Sequence, residues 1–274
     1  MTSPTVAMYR REWITGFQQT NHYLRAMTSS QAEREGGSFV WTVSSPDSSR
    51  MSSRGVDGAI PASPGTDTQV TGTAVEAVAK EIKTNFDVFK ATASQRDAML
   101  KRRRAQVMRE FDGKILDELA NATTTFGSTG AITYARINDI ASDLLEAVKE
   151  PMEVNFLWTA KAWGRINQMT EFTSADYLPG YHLASGEYAR VVKWAHGTHT
   201  FHPGLPGAGT ASATCFAFVK PAIGHAYEAS GENLSVGYNE EDHYHYCSAS
   251  VIHAAKILQD SGIIKYTHDD TTAF

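Results

Sequence analysis

Five histidines in the second half of the chain are the strongest candidates for a catalytic or metal-binding site. They lie in two short stretches, HGTHTFHP and EEDHYHY, as His196, His199, His202, His243 and His245. Residues two apart share one face of a strand, so an extended His243 and His245 would point the same way, with Glu240 or Glu241 nearby. Imidazole and carboxylate ligands suit a divalent metal. A metal-dependent enzyme that uses this strand is therefore one hypothesis.

The remaining histidines do not complete such a site. A metal centre normally needs a third and a fourth ligand on neighbouring strands. An extended backbone would place His196 and His199 on opposite faces, and Gly197 and Pro203 argue against a helix that would bring them together. Polar strand or surface positions account for these residues without a metal, and that is the favoured interpretation. We expect no cofactor.

Other catalytic signatures are absent from the sequence. It contains no GxxxxGK phosphate loop, no GxSxG nucleophile elbow, no HExxH and no GxGxxG that follows a strand. Gly207 and Gly209 in PGLPGAGT follow two prolines and precede no predicted helix, so a phosphate-binding loop there is only a weak alternative. We expect no catalytic residues.

A basic run, Lys101 to Arg104, is the second candidate for a functional site. It lies in SQRDAMLKRRRAQVMREFDGKILDELAN, residues 94–121, where the spacing of apolar residues predicts one long amphipathic helix. A solvated helix face is the simplest interpretation of the charges. Non-specific contact with nucleic-acid phosphates is an alternative. Salt bridges to the acidic stretch Glu240–Asp242 of another subunit are a further one. The predicted apolar face consists of Leu100, Val107, Met108, Phe111, Ile115, Leu116 and Leu119.

The composition is that of a globular protein. The chain has 274 residues, is 42% hydrophobic and 20% charged, and carries a net charge of −5. This balance argues against a general binder of nucleic acid or membrane surfaces. Cys215 and Cys247 stand alone, without CxxC spacing, so neither a disulfide framework nor a thiolate zinc site is expected. The sequence has no apolar run long enough to span a bilayer and no signal-peptide pattern, so we expect a cytoplasmic protein.

The polar segment from Ser44 to Thr73 must be explained by any fold. Ser, Thr, Gly and Pro make up 18 of its 30 residues, and no lysine precedes Lys80. So polar a segment can bury little surface of its own, and we expect a projecting two-stranded arm or a disordered one. It lies between a predicted strand at 38–43 and an extended segment at 70–83. Residues 1–34 form an aromatic arm, which either docks elsewhere or folds back as a terminal helix.

The remaining elements mix helices and strands without regular alternation, which predicts an α+β fold. A second amphipathic helix is predicted near 133–150 and a short one over 160–171. Strands are predicted at 154–159, 188–202, 214–219 and 243–252.

The order of these parts resembles the Hong Kong 97-type major capsid proteins of tailed double-stranded DNA bacteriophages. An aromatic arm, a long polar hairpin, one long helix, a mixed middle and a returning strand follow one another in the same order. The similar stretches are LWTAKAWGRINQMTEFTSADY (157–177), FHPGLPGAGTASATCFAFVKPAIGHA (201–226) and VGYNEEDHYHYCSASVIHAAKILQDSGIIKYTHD (236–269).

The resemblance implies a Hong Kong 97-like α+β fold in four parts. Residues 1–36 would be an N-terminal arm and 37–83 an E-loop that reaches over a neighbouring subunit. A peripheral domain would comprise 84–134 and 238–274, with the spine helix at 94–121, and an axial domain would comprise 135–237. The implied inter-subunit or DNA-facing residues are Arg50, Arg54, Lys101, Arg102, Arg103, Arg104, Glu240, Glu241 and Asp242.

The implied function is that of a major capsid protein. Such a subunit assembles as pentamers and hexamers into an icosahedral shell that encloses double-stranded DNA in the virion, after assembly in the host cytoplasm. Because no lysine precedes Lys80, the covalent cross-link that some relatives form through an E-loop lysine cannot arise from this arm. We therefore expect non-covalent contacts or cement proteins to stabilise the shell. The resemblance includes no long helical extension ahead of the arm of the kind that acts as a built-in scaffold, so we expect a separate scaffolding protein or none, together with a portal protein and no membrane partner. An encapsulin-like compartment for protein cargo is the remaining alternative.

Overall fold

The computed structural model describes residues 22–44, 66–85, 95–127, 132–173, 191–194 and 196–271. Most of the predicted aromatic arm, the centre of the polar segment, and Arg50 and Arg54 lie outside these ranges. The helices are α1 (Gln95–Ala120), α2 (Tyr134–Val148), α3 (Ala160–Ile166) and α4 (Thr170–Thr173). The strands are β1 (Glu33–Glu35), β2 (Ser38–Ser44), β3 (Asp67–Thr73), β4 (Val75–Thr84), β5 (Val154–Trp158), β6 (Val191–Trp194), β7 (Gly197–Phe201), β8 (Ala213–Val219), β9 (Ile223–Asn239), β10 (Tyr244–Ile257) and β11 (Ile263–His268).

The long helix α1 forms where the apolar spacing predicts it. Phe111, Ile115 and Leu119 recur every four residues and are almost fully buried, so one face of the helix lies in the core. Leu100 was expected on this face, and that expectation is wrong because its side chain is 37% exposed. The first turns of α1 bury Ala98 and Met99 instead, so the buried face there is rotated by about one residue.

The N-terminal half of α1 packs on an antiparallel three-stranded sheet with the order β4-β10-β9. Val107 and Phe111 of the helix form one buried cluster with Ala249 and Val251 of β10. Strand residues alternate between faces, so Cys247, like Ala249 and Val251, points toward the helix. α1 covers this face over β10, whereas Leu234 and Val236 of β9, which lie opposite Ala249 and Cys247, remain 42% and 44% exposed.

The C-terminal half of α1 belongs to the largest core. There Ile115 and Leu119 join side chains of α2 and of a five-stranded sheet with the order β11-β8-β5-β7-β6. Only the β5–β7 pair in this sheet is parallel. β5 lies in the middle of the sheet and all its residues are buried, as expected of a strand covered on both sides. α1 thus connects two cores.

A third sheet, with the order β1-β2-β3, lies against the face of β9 and β10 that α1 leaves open. Phe39 and Trp41 of β2 pack against Ala226 of β9 and Ala254 of β10. The root of the polar segment is therefore anchored to the subunit by two aromatic side chains.

Three expectations about strands needed revision. The segment 70–83 is not continuous: it divides at Ala74 between β3 and β4, where the Ala74 N–H donates to the Gly37 carbonyl. Within the predicted strand at 188–202, the described residues form two antiparallel strands, β6 and β7, with a positive φ of 69° at His196 between them. β9 was missed, because its glycines, asparagines and glutamate interrupt the apolar pattern and pairing with β10 holds the strand in place. The predicted helix at 160–171 is divided into α3 and α4.

Candidate functional site

The basic run of α1 is divided by its contacts with β4. Glu81 forms ion pairs with Arg102 and Arg103, with N···O distances of 2.5 and 3.2 Å. Glu81 is only 12% exposed, so these two arginines fasten the helix to the edge strand of its sheet. Lys101 and Arg104 are exposed on the other side of α1, and the structure gives neither an ion pair among the described residues. The run thus contains two structural arginines and two outward cations.

The acidic stretch Glu240–Asp242 forms the turn between β9 and β10. The Asn239 side-chain oxygen accepts the Glu241 and Asp242 N–H groups at 2.9 and 3.2 Å, which fixes the turn. All three acidic residues are exposed. Within the described part of one subunit, none of them lies within ion-pair distance of Lys101 or Arg104, so the acidic turn and these two cations stay available to other molecules.

The outer face of the β4-β10-β9 sheet carries exposed apolar side chains. Val78 and Ile82 are 71% and 50% exposed. They alternate with Ala77, Ala79 and Glu81, which face α1, and therefore point away from the helix. Exposed apolar side chains grouped on one face of a sheet suit contact with another protein.

Lys80 lies between these two side chains on the same face. Its ammonium group donates to the Tyr244 hydroxyl at 2.9 Å and lies 5.3 Å from the centre of the Tyr246 ring. Hydrogen bonding to Lys80 lowers the pKa of the Tyr244 hydroxyl. The outer face is thus an apolar and aromatic strip around one cation. A strip of this composition suits contact with another protein surface.

His243 and His245 do not form the metal site of the alternative enzyme hypothesis. His243 precedes β10 in a left-handed turn with a φ of 53°, and its Nδ1 lies 3.0 Å from the Tyr238 hydroxyl. The His245 ring lies 4.9 Å from the ring of the same tyrosine. In the part of the chain that the structure describes, no three His, Cys, Asp or Glu side chains are placed to hold a metal ion.

His199 is a structural residue of the five-stranded sheet. The Trp158 indole N–H donates to its Nδ1 at 3.0 Å, so the remaining proton lies on Nε2, which donates to the Trp194 carbonyl at 2.9 Å. The ring stacks on Phe156 at 4.4 Å. Both nitrogens are occupied, which leaves none for a metal.

His202 belongs to a buried polar contact centred on Asp112 of α1. Its Nδ1 accepts the Gly204 N–H at 3.0 Å, which places the ring proton on Nε2, 3.5 Å from Asp112 Oδ2. Asp112 also accepts the Tyr23 and Leu24 N–H groups at 2.9 and 3.0 Å. Burial alone would raise the pKa of Asp112, but the nearby His202 ring and the hydrogen bonds from the Leu24 and Tyr23 N–H groups outweigh burial and lower it. One carboxylate thus ties the N-terminal segment, α1 and the loop after β7 together.

The glycine turn 206–210 binds a carboxylate of its own chain rather than a phosphate. Gly209, with a φ of 82°, donates its N–H to Asp270 Oδ2 at 2.9 Å, while Thr159 donates to Oδ1 at 2.8 Å. Asp270 is buried. The weak phosphate-loop alternative therefore gives way to a structural contact that fixes the end of the chain after β11.

A pair of fully buried histidines was not predicted. His225 of β9 and His253 of β10 lie between the sheet and α1, and both rings meet Phe111 edge to face, at 5.4 and 5.5 Å. His225 Nε2 lies 3.4 Å from His253 Nδ1. Their positions 28 residues apart give no spacing signal, so only the pairing of β9 with β10 brings them together.

Comparison with known proteins gives the family. The family model described as phage capsid protein matches residues 1–270. No curated protein matches the chain. No helix among the described residues is long and apolar enough to cross a membrane.

Solved structures with the same fold come from several phages. The chain from Gordonia phage Cozz has a TM-score of 0.70 at 11% identity, and the match covers 96% of this chain and 90% of that one. The Cyanophage Pam1 capsid asymmetric unit gives a TM-score of 0.66 at 11% identity and covers 100% of both chains. Mycobacterium phage Che8 gives a TM-score of 0.65 at 15% identity and covers 96% and 94%. At such identities the likeness establishes the Hong Kong 97-like fold, and the hypothesis of a metal-dependent enzyme is not supported. From the match over residues 1–270, the chain belongs to the phage capsid protein family and is a shell-forming capsid subunit.

Proposed function

We propose that this chain assembles as pentamers and hexamers into an icosahedral shell that encloses the double-stranded DNA genome of a tailed phage. Membership of the capsid family over nearly the whole chain carries the proposal. The exposed strip around Val78 and Ile82 supports it, because subunit association would remove this surface from water. The proposed location is the virion, after assembly in the host cytoplasm, and the role is structural, without catalytic residues.

The proposed division into parts follows the resemblance. Residues 1–36 are the N-terminal arm, 37–83 the E-loop, 84–134 with 238–274 the peripheral domain, and 135–237 the axial domain. Packing of α1 on β10 supports a peripheral unit built around the spine helix. Within this proposal, the pairing of β11 with β8 ties the C-terminal stretch to the sheet of the axial domain.

The charged residues have separate proposed roles. Lys101 and Arg104 are exposed, and we assign them to non-specific contact with DNA phosphates, whereas Arg102 and Arg103 already neutralise Glu81. The exposed turn Glu240–Asp242 is assigned to salt bridges with a neighbouring subunit. Arg50 and Arg54, in the polar segment, remain candidates for either contact.

Other proteins complete the proposed particle. A separate scaffolding protein, a portal and cement proteins would act with this subunit. The absence of lysine before Lys80 supports non-covalent association of the arm.

Electron microscopy of the purified protein, alone and with its scaffolding protein, tests the proposal. We expect shells or pentameric and hexameric units. A variant in which residues 45–65 are replaced by a short Gly-Ser linker keeps the Trp41 anchor and should fold, because β2 and β3 remain. It should not form shells, because the segment that reaches a neighbour is gone.

Circular dichroism and an unfolding curve establish that the shortened variant is folded. Normal shells from that variant would remove the arm from the proposal. Small uniform oligomers of the complete chain under all conditions would count against a shell-forming role.

A further inference from the structure

The buried histidine pair lies beneath the segment His22–Ser29, which precedes β1. This segment is held at both ends by backbone hydrogen bonds. Asp112 accepts the Tyr23 and Leu24 N–H groups, while Ser29 donates to the Ile223 carbonyl and accepts the His225 N–H, both at 2.9 Å. The segment therefore covers the place beside the histidines where the middle of α1 meets the start of β9.

Arg25, in the middle of the segment, brings a cation to the same place. Its guanidinium lies 3.9 Å from the centre of the Tyr227 ring and 5.9 Å from that of Phe111. His22 adds a ring 6.1 Å from Phe111. Arg25 and His22 thus face the histidine pair across one aromatic ring.

Charges on the other elements complete the surroundings. Lys114 of α1 disfavours a charged His253. On the acidic side, Asp112 favours a charged His225, and Glu110 Oε1 lies 3.7 Å from His253 Nε2. Glu110 is about half exposed, so solvent screens its attraction. His225 and His253 are also adjacent to one another, so a charge on one ring would repel a charge on the other. While the segment His22–Ser29 covers the two rings, which we call the closed form, the neutral rings are therefore the stable state.

We propose that His225 and His253 form an acid-sensitive clamp, which holds the segment His22–Ser29 on α1 and β9 while both rings are neutral and releases it when they are protonated. Release moves Arg25 away from the new charges and admits water to His225. The proposal concerns the folded subunit and does not rest on the proposed shell.

The direction of the effect follows from proton linkage. Burial lowers the pKa of His225 to about 3, helped by the neighbouring His253, Arg25 and His22, and burial with Lys114 lowers that of His253 to about 4. A released histidine titrates near 6.5, so the closed form binds fewer protons below that pH. The stability of the clamp is therefore complete above about pH 6.5 and is lost as pH falls toward 4 and 3.

Hydrogen exchange of the peptide 22–29, corrected for the intrinsic pH dependence of exchange, tests the clamp between pH 7 and pH 4.5. The equilibrium constant for opening should rise about tenfold for each histidine with each unit that the pH falls below about 6. Peptides from residues 111–119 should stay protected over the same range. Light scattering is used to choose conditions in which the assembly state does not change with pH.

Three variants make the result specific. His253→Asn should halve the pH dependence. Arg25→Gln, which leaves the buried rings untouched and so avoids a folding defect, should shift opening to lower pH. His243→Asn, at an exposed turn histidine, is the matched control and should leave the profile unchanged.

Two results would overturn the proposal. One is equal protection of residues 22–29 at pH 7 and pH 4.5. The other is loss of protection at 22–29 and 111–119 together, which would mean general unfolding rather than release.

Discussion

The indole ring of Trp41 lies directly against the backbone of Gly224. A Cβ atom at position 224 would stand 2.6 Å from Trp41 Cε2, closer than any non-bonded carbon contact allows. β2 can therefore dock on β9 only where residue 224 has no side chain. This contact fixes the root of the polar arm on the subunit.

Gly224→Ala should lower the free energy of unfolding by about 1–3 kcal/mol, since the added methyl group forces the indole ring or β2 to shift. Chemical denaturation measures this cost. The matched control is Gly113→Ala in α1, where a Cβ would meet nothing within 4 Å. That variant should gain about 0.5–1 kcal/mol from reduced backbone freedom in the unfolded chain. Equal effects of the two substitutions would contradict the close packing of Trp41.

Phe111→Ala should cost about 3–5 kcal/mol, because the ring is 1% exposed and fills the space between α1 and the histidine pair. Leu100→Ala on the same helix should cost less than about 1 kcal/mol, because Leu100 is partly exposed. Denaturant midpoints of the two variants compare the two sites directly. Similar losses of unfolding free energy in the two variants would mean that Leu100 is buried, as its spacing predicts.

The sequence was most informative where local pattern decides the structure. The spacing of Phe111, Ile115 and Leu119 is a helical repeat, and it located α1 to within one residue at each end. His225 and His253 carry no such local signal, because their contact depends on the register of two long strands. Pattern alone also could not divide the basic run, since Glu81 reaches Arg102 and Arg103 from another element.

That division of the basic run predicts opposite effects for two equal changes of charge. Lys101→Gln with Arg104→Gln should weaken binding to duplex DNA and reduce the slope of log affinity against log salt by about 2, if each cation meets one phosphate. Arg102→Gln with Arg103→Gln should leave DNA binding nearly unchanged, because Glu81 already neutralises these arginines. Fluorescence anisotropy over a range of salt concentrations measures both.

The second pair should instead destabilise the subunit by about 1–3 kcal/mol, because Glu81 would be left nearly buried without its partners. An unfolding curve measures this loss. If the Arg102 and Arg103 pair governed DNA binding and the Lys101 and Arg104 pair governed stability, the assignment would be reversed.

The carboxylate of Asp112 holds three parts of the chain together, namely the segment around Tyr23, α1 and the loop after β7. Asp112→Asn removes the charge. With the amide oxygen at the Oδ1 position, where it still accepts the Leu24 N–H, the NH2 group replaces Oδ2 and faces the Tyr23 N–H and His202 Nε2, so the substitution should cost about 1–3 kcal/mol at pH 7. Asp117→Asn, at an exposed position of the same helix, should cost little. Urea unfolding at pH 7 compares them.

Acid should remove the difference between the wild-type protein and Asp112→Asn. The pKa of Asp112 is lowered from 3.8 in the folded state, so the folded protein binds fewer protons than the unfolded chain in this range. Its contribution to stability is complete above about pH 3.8 and is lost as pH falls through the lowered value. A difference in unfolding free energy that stays constant down to pH 3 would show that the carboxylate charge does not hold the three parts together.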